Sequence, residues 1–303
     1  VILCTTSNLF VRAVEMSGTP VLSVFPALPT VLFRTHFGGV WITRIAAEIL
    51  LLVSLKVFGR YRDSRVFLVF MLGLTVVVAA SESASGHASD AGDFSIPEIT
   101  DVLHLLAASV WGGGLLVLSS FVLPELIDSA EPPISLIAGV ARRFSRIAGF
   151  AVGIVAVTAL YNGLTYVGSL AALWKSTYGL TVIAKIAFFS LLVKLGGFNR
   201  YVSVPLLQEW AGASPESRGV LTRVALRIFP GIALGGSGQR IASRFKRSVR
   251  VEAFLIVVVL LCAALLRHEI PARHLSHMKG HAGTMSAMPS DGSNGQTDHM
   301  DHH

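Results

Sequence analysis

The chain has 303 residues, 52% of them hydrophobic and only 14% charged, with a mean hydropathy of +0.65. A soluble domain of this size carries roughly 25% charged residues, so the composition excludes an ordinary soluble fold and points to a membrane protein. The net charge of +7 then reads as Lys and Arg holding loops on one side of a bilayer, and nucleic-acid binding is set aside.

In chain order, residues 1–17 read as a partial span. The opening VILCTTSNLFVRAVEMSG has no initiator Met and no basic leader segment, so it is expected to be the later part of a helix that starts before Val1. Residues 18–38 form a loop punctuated by Pro and Gly. Four spans are predicted over 39–58, 65–81, 97–123 and 144–168, and two more over 178–197 and 248–266, each near the ~20 apolar residues a crossing needs. A basic connection, 198–246, joins the last two. Residues 267–303 are rich in Gly, Ser, Asp and Asn and have no core to fold around. The expected fold is all-α: a polytopic bundle of about six full spans plus a partial N-terminal span over 1–266, followed by a disordered tail over 267–303. Cys4 and Cys262 lie in apolar runs outside any CxxC pair, so neither a disulfide framework nor a thiolate metal site follows.

Orientation comes from counting cations. Of the 25 Lys and Arg, 17 fall in three connections: four around 56–65, three at 142–146, and ten across 194–250. The positive-inside rule places those connections in the cytoplasm. The loops at 18–38 and 82–96, the loop near 170 and the tail then face outward, periplasmic in a bacterium with two membranes. None of the ten histidines lies in a cytoplasmic connection.

The tail concentrates metal ligands: His274, His277, Met278, His281, Met285, Met288, His299, Met300, His302 and His303. Imidazole alone suits zinc, nickel or copper; interleaved thioethers shift the preference to copper, because Met is a soft ligand for Cu(I) and His accepts both Cu(I) and Cu(II). A flexible segment of this kind collects ions rather than presenting a fixed site. A solvated terminus without function is the bland alternative.

The span at 97–123 carries a second constellation. Asp101, His104 and Trp111 lie near one helix face, with His104 roughly 10 Å below the outer end. An ionisable group at that depth is a functional candidate, against the plainer reading of a histidine hydrogen-bonded to a neighbouring helix. His87, in the adjoining outward loop, could return over the mouth of this span, and Asp101 or Glu98 could orient the imidazoles. His36 faces the same side. Duller roles suit the other buried polar groups. Arg44 and Glu48 are spaced to pair, Lys185 to pair or snorkel, Asn162 to bond between helices, and Glu252 to form an ion pair at the cytoplasmic edge. No Walker loop, dinucleotide fingerprint, GxSxG or HExxH is present, so no enzyme chemistry is expected.

Ordered segments of the chain resemble the CopD copper-resistance family of bacterial inner-membrane proteins. They are PALPTVLFRTHFGGVWITR at 26–44, SGHA at 85–88, LHLLAASVWGGGL at 103–115, RRFSRIA at 142–148, ALYNGL at 159–164, YG at 178–179 followed by Lys185, NR at 199–200, and FKRSVRVEAFL at 245–255. The resemblance spans most of 20–266. It implies a membrane bundle serving copper uptake or tolerance, often beside a small periplasmic copper-binding protein of the CopC type. His36, His87 and His104 fall on the family's THFG, GHA and LHLLA positions. WGGGL departs from the pattern, with a small residue where a bulky one is common.

The leading expectation is therefore an inner-membrane, multi-pass protein in contact with lipid. It binds copper on the periplasmic face and carries it across or delivers it for copper homeostasis. Two rivals stand: a membrane haem protein with His axial ligands, for which only His104 lies within a span, and a membrane-tethered copper buffer or assembly partner.

Overall fold

The computed structural model describes residues 2–86, 92, 94–129, 131–167, 174, 177–213, 219–228 and 238–268. The tail ligands and His87 therefore lie outside the described residues. Among the described residues the secondary structure is helical, without strands.

The helices are α1 (Ile2–Ser17), α2 (Leu28–Arg34), α3 (His36–Phe58), α4 (Arg65–Ala84) and α5 (Ile96–Ile127), then α6 (Ile134–Val167), α7 (Thr177–Phe198), α8 (Val220–Ile228) and α9 (Gly238–His268). The α7 helix runs on through a π turn, Asn199–Ser203, into Val204–Trp210. Among the described residues, five segments are long and apolar enough to cross a membrane: Arg65–Ala84, Ile96–Ile127, Ile134–Thr165, Gly179–Trp210 and Gly238–Leu266. The 23 residues of α3 also reach about 34 Å at helical rise, but this helix carries buried Arg44 and Glu48.

Local chemistry sets the helix starts. The Thr35 hydroxyl accepts the Gly38 N–H at 3.0 Å and caps α3. Ser95 caps α5 by accepting from the Glu98 N–H, with Pro97 in the first turn, where its missing N–H costs nothing. Large apolar side chains such as Leu52, Val66, Leu72, Phe150, Leu164 and Phe254 are exposed along the helices. In water so many would be a liability; in a bilayer they are the lipid-facing surface.

Packing divides the helices into two groups. On one side α1, α2 and α3 enclose Leu9, Ala13, Val24 and Val31. Helix α3 packs on α4, and α4 on α5. On the other side α5, α6, α7 and α9 surround a core that includes Leu115, Ile137, Leu192, Leu207 and Ile256. Close approach in this core depends on the WGGGL glycines. A Cβ on Gly114 would sit 2.8 Å from Phe144 Cε2, and one on Gly112 would sit 3.1 Å from Ile256 Cγ1. Two π turns, Ser109–Gly113 and Leu118–Val122, interrupt α5 at this level.

The Lys- and Arg-rich connections share one end of the bundle. There Lys246 Nζ on α9 donates to Asp128 Oδ1 at 2.6 Å, just beyond α5. At the opposite end Arg12 Nη2 donates to the Ser85 carbonyl at 3.3 Å, tying α1 to the end of α4. Much of the basic connection is itself helical. The amphipathic α8 buries Leu226 against Val202 and Leu206 of α7.

Candidate functional site

The end of the bundle away from the basic connections holds a polar layer built from five helices. Asp101 and His104 enter from α5, three residues and so nearly one turn apart. Half-buried His104 meets α6 through Thr158, with Nδ1 2.8 Å from the hydroxyl Oγ1. Thr158 is buried, and its single hydroxyl proton goes to the Ile154 carbonyl at 2.7 Å. A hydroxyl that has spent its proton has only lone pairs left to offer, so it accepts, and His104 Nδ1–H donates. The Val155 carbonyl also hydrogen-bonds the ring. The proton on Nδ1 leaves Nε2 with its lone pair, the form in which imidazole binds metal.

Asp101 hydrogen-bonds the Ser83 side chain of α4. Ser83 is fully buried, and its Oγ also lies 3.2 Å from the Glu98 carbonyl. From α7, Lys185 interacts electrostatically with Asp101 and with Cys262 of α9, and with His104. Lys185, expected to pair or to snorkel, thus lies within electrostatic reach of Asp101, with no ion pair between them within 4 Å among the described residues. Glu98 turns back on its own helix start, where its Oε2 accepts the Phe94 N–H at 2.5 Å. His36 is exposed at the first turn of α3, which packs on α4 rather than directly beside His104. So the structure brings together His104 and Asp101 with Thr158, Ser83 and Lys185, and sets Glu98 and His36 apart. Among the described residues no three His, Cys, Asp or Glu side chains converge closely enough to hold a metal ion. His104 is also the only histidine within the five membrane-length segments.

Three other sequence expectations resolve differently. Arg44 and Glu48 feel each other electrostatically, but Arg44 pairs with Glu82 of α4 and donates to the Ser81 carbonyl at 2.6 Å. Glu48 instead takes the Thr5 hydroxyl of α1 at 2.8 Å. Asn162 Oδ1 is buried without a partner among the described residues, so the expected interhelical bond from that atom is not made. Among the described residues Glu252 forms no edge ion pair. It is buried and accepts from the Asn199 side chain of α7. Three partners escaped the sequence reading: Thr158, Ser83 and Asn199. Thr158 had one local signal, a lone hydroxyl in the apolar run GIVAVTAL.

Two family models match the chain in order. The model described as "Copper resistance protein D-like, N-terminal domain" covers residues 1–95, and "Copper resistance protein D" covers residues 138–266. The chain belongs to the copper resistance protein D family. The first matched region covers α1–α4, and the second begins inside α6 and runs through most of α9, so that α5, which carries His104, lies between the two.

Among characterised relatives, the chain is 30% identical over 197 residues to "Copper transport protein CutJ" of Bacillus subtilis, covering 59% of this chain and 35% of that protein. It is 26% identical over 237 residues to "Copper resistance protein D" of Pseudomonas syringae pv. tomato, covering 77% and 74%. It is 27% identical over 195 residues to "Inner membrane protein YebZ" of Escherichia coli, covering 64% of each. The match thus spans about a third of the Bacillus protein and about three quarters of the Pseudomonas one. No solved structure matches the chain.

Proposed function

We propose that this copper resistance protein D family member binds copper at the end of the bundle opposite its basic connections and moves it across, or delivers it from, a bacterial inner membrane. The observation that carries the reading is His104. It is an imidazole inside a membrane-length helix, its Nδ1 committed to Thr158, which leaves the lone pair on Nε2. A histidine oriented through its other nitrogen is how metal-binding imidazoles are usually held.

One imidazole is too few for tight binding. His87, on the segment joining α4 to α5, is the natural second ligand, with His36 on the same side and Asp101 as an orienting carboxylate. The tail ligands, His274, His277, Met278, His281, Met285, Met288, His299, Met300, His302 and His303, serve as a periplasmic collector whose His and Met donors suit Cu(I) and Cu(II). A CopC-type copper-binding protein is the proposed donor or acceptor at that face. The role is transport-like rather than enzymatic. Support comes from the relatives named for copper transport and copper resistance and from the excess of cations in the opposite connections.

The test is a metal count. The full chain and a form ending at Leu266 are equilibrated with Cu(I) and then Cu(II), and bound copper is measured by elemental mass spectrometry. Copper retained by the shorter form, and lost when His87 and His104 are replaced by Ala, supports a site in the bundle. Copper bound only by the full chain makes the protein a tethered buffer and removes the transport reading.

A further inference from the structure

A second polar site lies toward the basic end of the bundle, and neither the copper reading nor the family comparison uses it. Glu252 sits on α9 six residues past Lys246, roughly 9 Å further along the helix. Its side chain is buried. Its hydrogen-bond partner is neutral: Asn199 Nδ2 donates to Glu252 Oε1, and Asn199 Oδ1 in turn accepts from Ser203 Oγ at 2.9 Å. Among the described residues no Lys, Arg or His forms an ion pair with it.

The carboxyl borders a cavity of about 400 Å³ between α5, α6, α7 and α9, lined among others by Trp111, Gly149, Gly196, Asn199 and Arg200. At ~30 Å³ per water, several waters fit. Ser145, Arg200, Tyr201 and Val204 also line a neighbouring cavity of about 260 Å³, whose wall includes Arg142, Arg146, Gln208 and Glu209. The inner cavity therefore adjoins a polar vestibule on the basic side. Arg200 stands between them, its Nη1 donating to the Ser145 carbonyl of α6. Gly149 makes room for it, since a Cβ there would run into the guanidinium.

We propose that Glu252 is a proton-exchange site, loaded and unloaded through this cavity from the basic side of the membrane. A buried carboxyl with no cation partner is costly to keep charged, and an ionisable group inside a span without a structural pairing role marks a proton or ion path. The chemistry selects a proton over a metal ion. One carboxylate, one amide and one hydroxyl make a poor cation cage, and the guanidinium of Arg200 in the cavity wall, with Arg142 and Arg146 outside, repels cations. A proton passes such a ring by hopping along water. The exchange is Glu252–COOH giving its proton to cavity water and leaving the carboxylate, with Asn199 Nδ2–H donating to Oε1 in that state. The charged or titratable groups lining the two cavities are Arg200, Tyr201, Arg142, Arg146 and Glu209.

The test needs no copper and no mutant that must fold. Dicyclohexylcarbodiimide, an apolar reagent, adds to a protonated carboxyl in an apolar site and leaves a stable N-acylurea. The full chain in detergent is treated from about pH 5 to about pH 9, a range that brackets perturbed carboxyls, and modified peptides are read by mass spectrometry. The expected result is labelling at Glu252 that falls along a single titration as pH rises, while exposed Asp128 stays unlabelled. Glu252 unmodified at every pH, or labelled equally throughout, overturns the proposal. Because copper is absent, failure here leaves the copper site untouched, and failure of the copper site leaves this result standing.

Discussion

Arg44 of α3 reaches across to Glu82 of α4 and fixes one helix against the next. Its guanidinium also donates to the Ser81 carbonyl at 2.6 Å and the Ser85 hydroxyl at 2.5 Å, so one side chain gathers the last turn of α4. Replacing Arg44 with Ala leaves those acceptors facing an apolar contact. Losing one partner of a buried pair costs about 3–5 kcal/mol. Glu82 keeps 28% side-chain exposure, which reduces the expected loss to ~2 kcal/mol. Arg44→Ala should lower the midpoint of thermal unfolding in detergent, and Arg44→Lys should recover only part of it, because Lys lacks the planar fork. An unchanged midpoint in Arg44→Ala would show that the network adds nothing to stability.

Thr158→Val keeps the shape of the side chain and removes the acceptor of His104 Nδ1–H. If His104 binds copper, affinity should fall by roughly 10- to 100-fold with the unfolding midpoint nearly constant, and Thr158→Ser should restore it. Competition with a chelator of known affinity measures this. Equal affinity in the Val and Ser variants would disconnect Thr158 from binding.

Gly114 and Gly153 offer a matched pair. A Cβ at Gly114 meets Phe144 at 2.8 Å, while one at Gly153 meets nothing within 4 Å. Gly114→Ala should therefore destabilise by about 1–3 kcal/mol through overpacking, and Gly153→Ala should not. Detergent unfolding of both variants reads the difference directly.

Lys246 and Asp128 bridge α9 and the end of α5, but Asp128 is 63% exposed. Lys246→Ala should cost less than ~1 kcal/mol, and the loss should vanish in high salt. A large, salt-independent loss would mean that the lysine's stem, rather than its charge, supports the packing.

The spans were legible because hydropathy is local. The span expected over 65–81 appears as Arg65–Ala84, that over 97–123 as Ile96–Ile127, and that over 178–197 as Thr177–Phe198. Helices at the basic end overrun their apolar cores: α6 starts at Ile134 rather than near 144, and α9 at Gly238 rather than near 248. Basic residues there are compatible with helix but not with lipid, and a hydropathy window sees only the second property. His104 and Asp101 could be singled out because a charge in an apolar run is visible at once. Their partners could not. Thr158 lies 54 residues from His104, and Asn199 lies 53 from Glu252; both pairs exist only once α5 meets α6 and α7 meets α9. A neutral amide opposite Glu252 is a tertiary fact, and charge spacing along α9 pointed instead to the nearby cations.

Trp111 stands on α5 seven residues below His104 and also lines the inner cavity beside Glu252. It is buried, and its ring meets Phe189 edge-on with centroids 5.9 Å apart. Together with Leu115 the aromatic pair puts apolar side chains between the two polar levels. In electrical terms the aromatic pair is an insulator set between two polar terminals, the level of His104 and the level of Glu252. On the two proposals above, copper at His104 and a proton at Glu252 would be separated by this apolar layer, so any coupling between them would run through the helices and not through direct contact.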